Sequence, residues 1–250
     1  MARAAVLGRL NWELGEVVEV IDETPRVRSI VLEVHGWPGH RPGQHVDVRL
    51  TAEDGYQAQR SYSIASAPED ARLMLTVERL PDGEVSSYLV DELRAGDALE
   101  LRGPIGGYFV WEARMGGPLL LVAGGSGIVP LTAMLRHRAA TASTVPARLI
   151  YSSRTWEDII FREELERLSS GPDGPEVIQT LTREQPPGWT GYARRVDGSM
   201  LAEAGWPAAD EPLTFVCGPT PFVEAVSRAL VAAGYEAVRI KTERFGPTGG

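Results

Sequence analysis

From Gly15 to about Leu101 the apolar positions recur every second residue or in short β-branched runs: "EVVEVID", "RVRSIVLEV", "QHVDVRL", "RSYSIAS", "RLMLTVERL" and "DALELRG". Pro, Gly and Asp separate them. Several short strands with turn signals between them predict an antiparallel sandwich or barrel. One stretch breaks the alternation: in "EVSSYLVDEL", Val85, Leu89 and Leu93 share a helical face, which predicts a single short helix there.

The period changes after "GPIGGYFVWEARMGGP". From Leu119 onward apolar runs alternate with helical segments: "LLLVA" then "PLTAMLRHRAA", "ARLIYSS" then "DIIFREELERL", "EVIQTLT" then "SMLAEAG", "LTFVCG" then "PFVEAVSRALVAAG", and finally "AVRIKTERF". Such alternation predicts βαβ units and a parallel sheet covered on both faces. The expected architecture is therefore two domains. An antiparallel β-barrel spans residues 1–113 and an α/β, Rossmann-like parallel-sheet domain spans 114–250, with the boundary between Trp111 and Gly117.

Composition narrows the function classes. No apolar run approaches the roughly 20 residues needed to cross a bilayer, and the first residues hold no apolar stretch of signal-peptide length, so a cytoplasmic protein without a membrane span is expected. Cys217 is the only cysteine, which excludes an intramolecular disulfide and an iron–sulfur cluster held by about four thiolates of this chain. A net charge of −9 argues against nucleic acid as a partner. The four histidines, His35, His40, His45 and His137, fall outside the motifs below and are read as surface or structural residues; no metal site is expected.

Three stretches carry candidate chemistry. In "RSYSIASAPE" a cation, an aromatic and two hydroxyls lie along an extended chain, a pattern suited to something flat and anionic, although Tyr is also simply a good strand residue. In "LLLVAGGSGIVPLTAMLR" a strand runs into Gly124, Gly125 and Gly127 with Pro130 opening a helix. Glycines let a diphosphate approach the backbone, and the helix start offers free N–H groups; a tight turn alone would also use them. A second glycine turn, "FVCGPTPFVEAV", brings Cys217, Gly218 and Pro219 to the same carboxyl edge of the parallel sheet, where ligands of open α/β sheets bind. Cys217 could equally be a small buried hydrophobe.

Taken in order, the RxYS strand, "GEVSSYL", "GPIGGYF", "GGSGIVP" and "CGPTPF" resemble the ferredoxin–NADP reductase superfamily of two-domain flavoenzymes, over about Glu16 to Phe245. The resemblance implies FAD in the barrel: Arg60 on its diphosphate, Tyr62 stacked on the isoalloxazine, Ser63 near flavin N5, and Gly83, Val85, Ser86 and Ser87 as a helix start against the diphosphate. Ser86 could also be only an N-cap. It implies Phe245 over the opposite flavin face, where the alternative is a core aromatic. It implies a pyridine nucleotide on Gly125, Ser126, Gly127, Cys217, Gly218 and Pro219, with Ser63, Cys217 and Glu243 lining the catalytic position. Phe222 departs from the methionine usual in CGPxxM, so packing behind the nicotinamide is expected to differ.

The resemblance further implies an FAD-dependent NAD(P)H oxidoreductase. Neither the length nor the cysteines leave room for a fused iron–sulfur domain, so a stand-alone monomer with a separate acceptor is expected: a ferredoxin or other small redox protein, serving an oxygenase. A free-flavin or ferric reductase is the first alternative and a non-catalytic flavin subunit the second. NADPH is expected over NADH, because Thr182 and Arg183 resemble the hydroxyl–arginine pair that grips a 2′-phosphate and no acidic residue stands directly at the end of that strand or of its neighbour. Arg194 or Arg195 could assist, and Ser153 with Arg154 is a competing site of the same chemistry.

Overall fold

The computed structural model describes residues 10–246. Its first half is a six-stranded antiparallel sheet in the order β4-β3-β6-β1-β2-β5, built from β1 (Glu13–Thr24), β2 (Val27–Val34), β3 (His45–Thr51), β4 (Gln57–Ser63), β5 (Leu73–Glu78) and β6 (Ala98–Ile105). The end strands β4 and β5 follow one another in the chain and meet through an Ile64–Leu75 bridge. That contact closes the sheet into a barrel, which removes the exposed edges of an open sheet.

The alternation seen in the sequence becomes the barrel interior. Val17, Ile30, Leu32, Val46, Val48, Leu75, Val77, Leu99 and Leu101 form one buried cluster. The short helix α1 (Glu84–Ser87), which continues as a π turn over Tyr88–Glu92, plugs the barrel with Val85, Leu89 and Leu93, all at most 1% exposed. Each such side chain contributes on the order of 1.5–3 kcal/mol of burial.

The second half is a five-stranded parallel sheet in the order β11-β10-β7-β8-β9, from β7 (Leu119–Gly124), β8 (Ala147–Ser153), β9 (Glu176–Leu181), β10 (Leu213–Pro219) and β11 (Ile240–Phe245). The central strand β7 is buried at every position, as both-face coverage requires. One face packs on α2 (Ile128–Ala140) and α3 (Arg162–Ser169). The other packs on α4 (Gly198–Ala204) and α5 (Thr220–Ala232).

Two expected helices or strands begin later than the pattern predicts. The α3 helix starts at Arg162 rather than Asp158, because Phe161 takes a left-handed φ of 59° that turns its ring into the core. The last strand starts at Ile240, after a 3-10 turn over Ala237–Arg239.

The two halves share a core. Val27 and Ala65 of the barrel pack in the same cluster as Leu121, Leu131 and Phe215, and the connecting Phe109 and Trp111 are buried there too. Among the described residues no helix is long and apolar enough to cross a membrane, and no group of three or more His, Cys, Asp and Glu could hold a metal ion. His40 bonds the Ser66 carbonyl, and His137 bonds Glu69 and receives the Ala113 N–H. Both serve the fold.

Candidate functional site

The strand ends converge where β4 of the barrel meets β10 and β11 of the parallel sheet. Ser63, the last residue of β4, donates its hydroxyl to Glu243 Oε1 at 3.3 Å. Glu243 is the register partner of Cys217 in the neighbouring strand, so both side chains lie on one face. The three residues expected to act together are thus brought together. Burial raises the Glu243 carboxyl to about 7, against the lowering effect of the Ser63 hydrogen bond. Burial, then the Glu243 charge, pushes the Cys217 thiol well up, so Cys217 is a neutral, buried group rather than a nucleophile.

Phe245 lies two residues beyond Glu243 on the same face, in register with Pro219. It is half-buried against the core shared by the two sheets. On that face the one lysine of the chain, Lys241, lies 5.5 Å from the Tyr108 ring, while the Tyr108 hydroxyl donates to the Ile240 carbonyl at 3.3 Å. The "GPIGGYF" segment is thereby fastened to β11.

On β4, Tyr62 is half-buried against the barrel core, and burial raises its phenol above the ordinary value despite the nearby Arg60 charge. Arg60 is exposed; its guanidinium donates to the adjacent Gln59 carbonyl at 2.6 Å and has no carboxylate partner among the described residues. It remains available to an anion. In the "GEVSSYL" turn, Gly83 is the helix N-cap and accepts from the Ser86 hydroxyl at 3.1 Å, while Ser86 Oγ accepts from Leu80 N at 3.2 Å. Ser86 therefore ties the turn together without being the N-cap. The Ser87 hydroxyl reaches the Leu80 carbonyl at 3.5 Å. A Cβ on Gly83 would stand 2.2 Å from Ser86 Oγ. Val85 points into the core, which leaves only its backbone for a ligand. Beside this turn a groove of about 530 Å³ runs between Arg49, Tyr56, Glu84 and Tyr88, within the size range of small-molecule sites.

The glycines of "GGSG" divide by role. Gly125 has φ of +55° and faces open space, as a ligand-facing turn residue would. Gly127 is instead required by protein packing, since a Cβ there would stand 2.2 Å from the Cys217 carbonyl oxygen. Gly124 and Gly218 both face Phe222, whose ring would lie 3.0 and 2.7 Å from a Cβ at each. The aromatic at the departure from CGPxxM thus fills the space behind both glycine turns. Ser126 donates its hydroxyl to Glu78 at 2.7 Å, so that group is engaged by the barrel. Glu78 was not distinguishable in the sequence; it reads as an outward position at the end of an alternating strand.

At the other end of the sheet, the two arginine turns expected to compete are joined. Thr182 N and Thr182 Oγ1 both donate to the Ser153 carbonyl, and Arg183 N donates to the Arg154 carbonyl at 2.9 Å. The Thr182 hydroxyl proton, expected to face a phosphate, is directed to the Ser153 carbonyl in this structure. Arg154 and Arg183 are exposed, with no ion-pair partner among the described residues. Arg194 pairs with Asp197 and Glu203 and stacks on Tyr192, so it is not free to assist. The turn also carries a carboxylate: Glu184, whose N–H reaches the Arg154 carbonyl at 3.3 Å.

Residues 17–110 match the family model of the oxidoreductase FAD-binding domain, and residues 121–228 that of the oxidoreductase NAD-binding domain. The chain belongs to the ferredoxin–NADP reductase superfamily of flavoprotein oxidoreductases. It is 36% identical over 211 residues to the glycine betaine monooxygenase reductase subunit of Chromohalobacter salexigens, covering 83% of this chain and 56% of that protein. It is 34% identical over 205 residues to NADH-cytochrome b5 reductase 1 of Aspergillus terreus, covering 79% and 68%. The flavohem-like FAD/NAD binding domain of nitric oxide dioxygenase from Vibrio cholerae superposes with a TM-score of 0.83 at 27% identity, over 94% of this chain and 99% of that one. The chain spans a little over half the length of the reductase subunits it matches. In this superfamily member the FAD-binding region is thus the barrel and the NAD-binding region the parallel sheet.

Proposed function

We propose that this flavoprotein takes reducing equivalents from NADPH and passes them, through FAD held by the barrel, to a separate small redox protein that serves an oxygenase. The observation that carries this reading is the meeting of Ser63, Cys217 and Glu243, one from the barrel and two from the parallel sheet. A site assembled from both halves suits a transfer between a group bound to each.

The residues fit FAD. Arg60, with no carboxylate partner among the described residues, is a cation for a diphosphate, Tyr62 is a flat face fixed by its packing, and in the turn after Gly83 the Val85 and Ser86 N–H groups are open to an anion, while those of Gly83 and Ser87 bond the Leu80 and Gly83 carbonyls. When bound, FAD supplies the capacity to accept two electrons together and release them onward. Phe245 would be the residue that covers the ring's open face and gives way to the nicotinamide. Ser63 donates its hydroxyl to Glu243 Oε1, which leaves Oε2 to carry the carboxyl proton, and the buried Cys217 keeps water from the reacting position. Gly125, Gly127, Gly218 and Pro219 shape the nucleotide crevice, with the domain division placed between residues 113 and 114.

Arg154 and Arg183 together supply the charge for a 2′-phosphate, and this favours NADPH. Glu184 in the same turn favours a second reading, NADH, since a carboxylate there would accept ribose hydroxyls. For the acceptor, the similarity to the glycine betaine monooxygenase reductase subunit and to the toluate 1,2-dioxygenase electron transfer component of Pseudomonas putida supports an oxygenase system. The test is anaerobic: mixing purified holoprotein with NADPH or NADH should bleach the flavin, and ferredoxin should then restore its colour faster than free FMN or a ferric chelate. No bleaching would leave a non-catalytic flavin subunit, and faster reoxidation by FMN or the chelate would make the protein a flavin or ferric reductase.

A further inference from the structure

Glu78, the last residue of β5, belongs to the barrel but reaches the glycine turn of the parallel sheet. Its Oε2 accepts from the Ser126 hydroxyl at 2.7 Å and its Oε1 accepts from Arg26 Nη2 at 2.9 Å, so both oxygens are engaged. Its side chain is 23% exposed, against 46% for Arg26. The charge also extends over the end of β8: burial holds the Tyr151 phenol above its ordinary value, and Glu78 adds to that shift. Ser126 is the middle residue of the turn whose first residue, Gly125, faces open space with a left-handed φ of +55°.

A carboxylate is an odd neighbour for a turn that would receive a diphosphate. The backbone N–H groups and helix start behind the turn attract an anion, while Glu78 repels one. A tie between the two halves would be served as well by a neutral acceptor, so the charge is the part that a purely structural role leaves unused.

We propose that Glu78 sets how tightly the nucleotide site holds its ligand. Its carboxylate keeps the Ser126 hydroxyl turned toward the barrel and opposes the diphosphate, and Arg26 moderates that opposition from the far side. The result is a site that binds its nucleotide less tightly than the turn alone would, which favours release of the oxidised product; release is a common limit on turnover. This rests on the reading of the Gly125–Gly127 turn as a nucleotide site.

The experiment is a calorimetric titration of FAD-loaded wild type, Glu78→Gln and Arg26→Ala with NADP+ and with NAD+, at low and at high salt, with FAD content and melting temperature measured on the same samples. Gln keeps the size and can still accept from Ser126, so it removes the charge alone. Glu78→Gln should bind nucleotide about threefold to tenfold tighter at low salt, with the gain shrinking at high salt. Arg26→Ala, which leaves the carboxylate uncompensated, should bind more weakly. Wild-type binding with unchanged or weaker affinity in Glu78→Gln overturns the proposal while leaving the nucleotide site intact, as does unchanged affinity in Arg26→Ala. Absence of binding of either nucleotide to wild type defeats the site itself, and the proposal with it.

Discussion

Ser63 and Glu243 are 180 positions apart in the chain and 3.3 Å apart in space. Each ends or nearly ends a strand, one in the barrel and one in the parallel sheet, so their contact exists only while the two halves are docked. Arg136 of α2 is one clamp between the halves: it donates to the Ala65 carbonyl of the barrel side at 2.7 Å and is held within its own half by a two-pronged pair with Glu164 at 2.8 and 2.6 Å and by the Phe161 ring 4.8 Å away. Ala65 follows Ser63 by two residues. The clamp therefore acts beside the site and fixes its geometry, which no single half could do.

Glu243 should make the stability of the apoprotein depend on pH. Its carboxyl is raised to about 7 in the folded chain from an ordinary value of 4.5, chiefly by burial. The folded state therefore holds a proton that the unfolded state has released. The stabilisation is fully present below about pH 4.5 and is lost as pH rises through about 7, by roughly 3 kcal/mol in all. Urea unfolding of the apoprotein should find Glu243→Gln increasingly more stable than wild type across that window. Parallel curves for the two proteins would show that the carboxyl is not desolvated.

Gly127 and Gly125 should respond unequally to an added methyl group. Gly127→Ala drives a Cβ to within 2.2 Å of the Cys217 carbonyl, a backbone atom that cannot rotate away, and should cost about 1–3 kcal/mol or more. Gly125→Ala meets nothing within 4 Å and should cost about 1 kcal/mol, for its positive φ alone, while still weakening nucleotide binding. Equal melting temperatures for the two variants would mean that the Cys217 contact is not a packing constraint.

Tyr62→Ala should weaken FAD retention about fivefold to tenfold, since a stacked aromatic contributes on the order of 1 kcal/mol beyond its area. Flavin content after gel filtration and the visible spectrum of the remainder report this. Full flavin content with an unaltered spectrum would remove Tyr62 from the flavin face.

Much of this was legible from local pattern. The alternation of apolar residues gave all the barrel strands, and the run "LLLVAG" gave the central parallel strand, because a two-residue or all-apolar period follows directly from which faces are covered. What escaped reading depends on long-range partners. Phe161 and its left-handed turn shortened α3 for the sake of a core position. Ser126 looked like a free ligand hydroxyl because nothing local marks Glu78 as its partner 48 residues away. Thr182 likewise spends its proton on Ser153, a residue of the neighbouring strand. The site residues were recognisable by type, but their availability was decided by contacts between elements.

Phe245→Ala should expose the face that the nicotinamide needs. The ring is half-buried against the shared core and sits in register with Pro219 at the end of β11, so its loss should cost about 1–2 kcal/mol of stability. Oxidised pyridine nucleotide should then bind several-fold more tightly to the holoprotein. Unchanged nucleotide affinity alongside the stability loss would leave Phe245 as a core residue only.

Arg154 and Arg183 offer the sharpest test of nucleotide choice. Their backbones are joined at 2.9 Å, both side chains are exposed, and neither has an ion-pair partner among the described residues. A dianionic 2′-phosphate between two such guanidiniums would gain charge-assisted hydrogen bonds of about 1.5–3 kcal/mol each. Wild type should therefore have a higher kcat/KM with NADPH than with NADH. Arg154→Ala and Arg183→Ala should each lower that ratio by about tenfold or more, with kcat/KM for NADH little changed, and the double variant should lose less than the product of the two because both act on one phosphate. Glu184→Gln should raise the ratio, since it removes a negative charge from the same turn. A wild type that prefers NADH, with Glu184→Gln lowering its kcat/KM for NADH, would reassign this turn to ribose hydroxyls and make Glu184 its specificity residue.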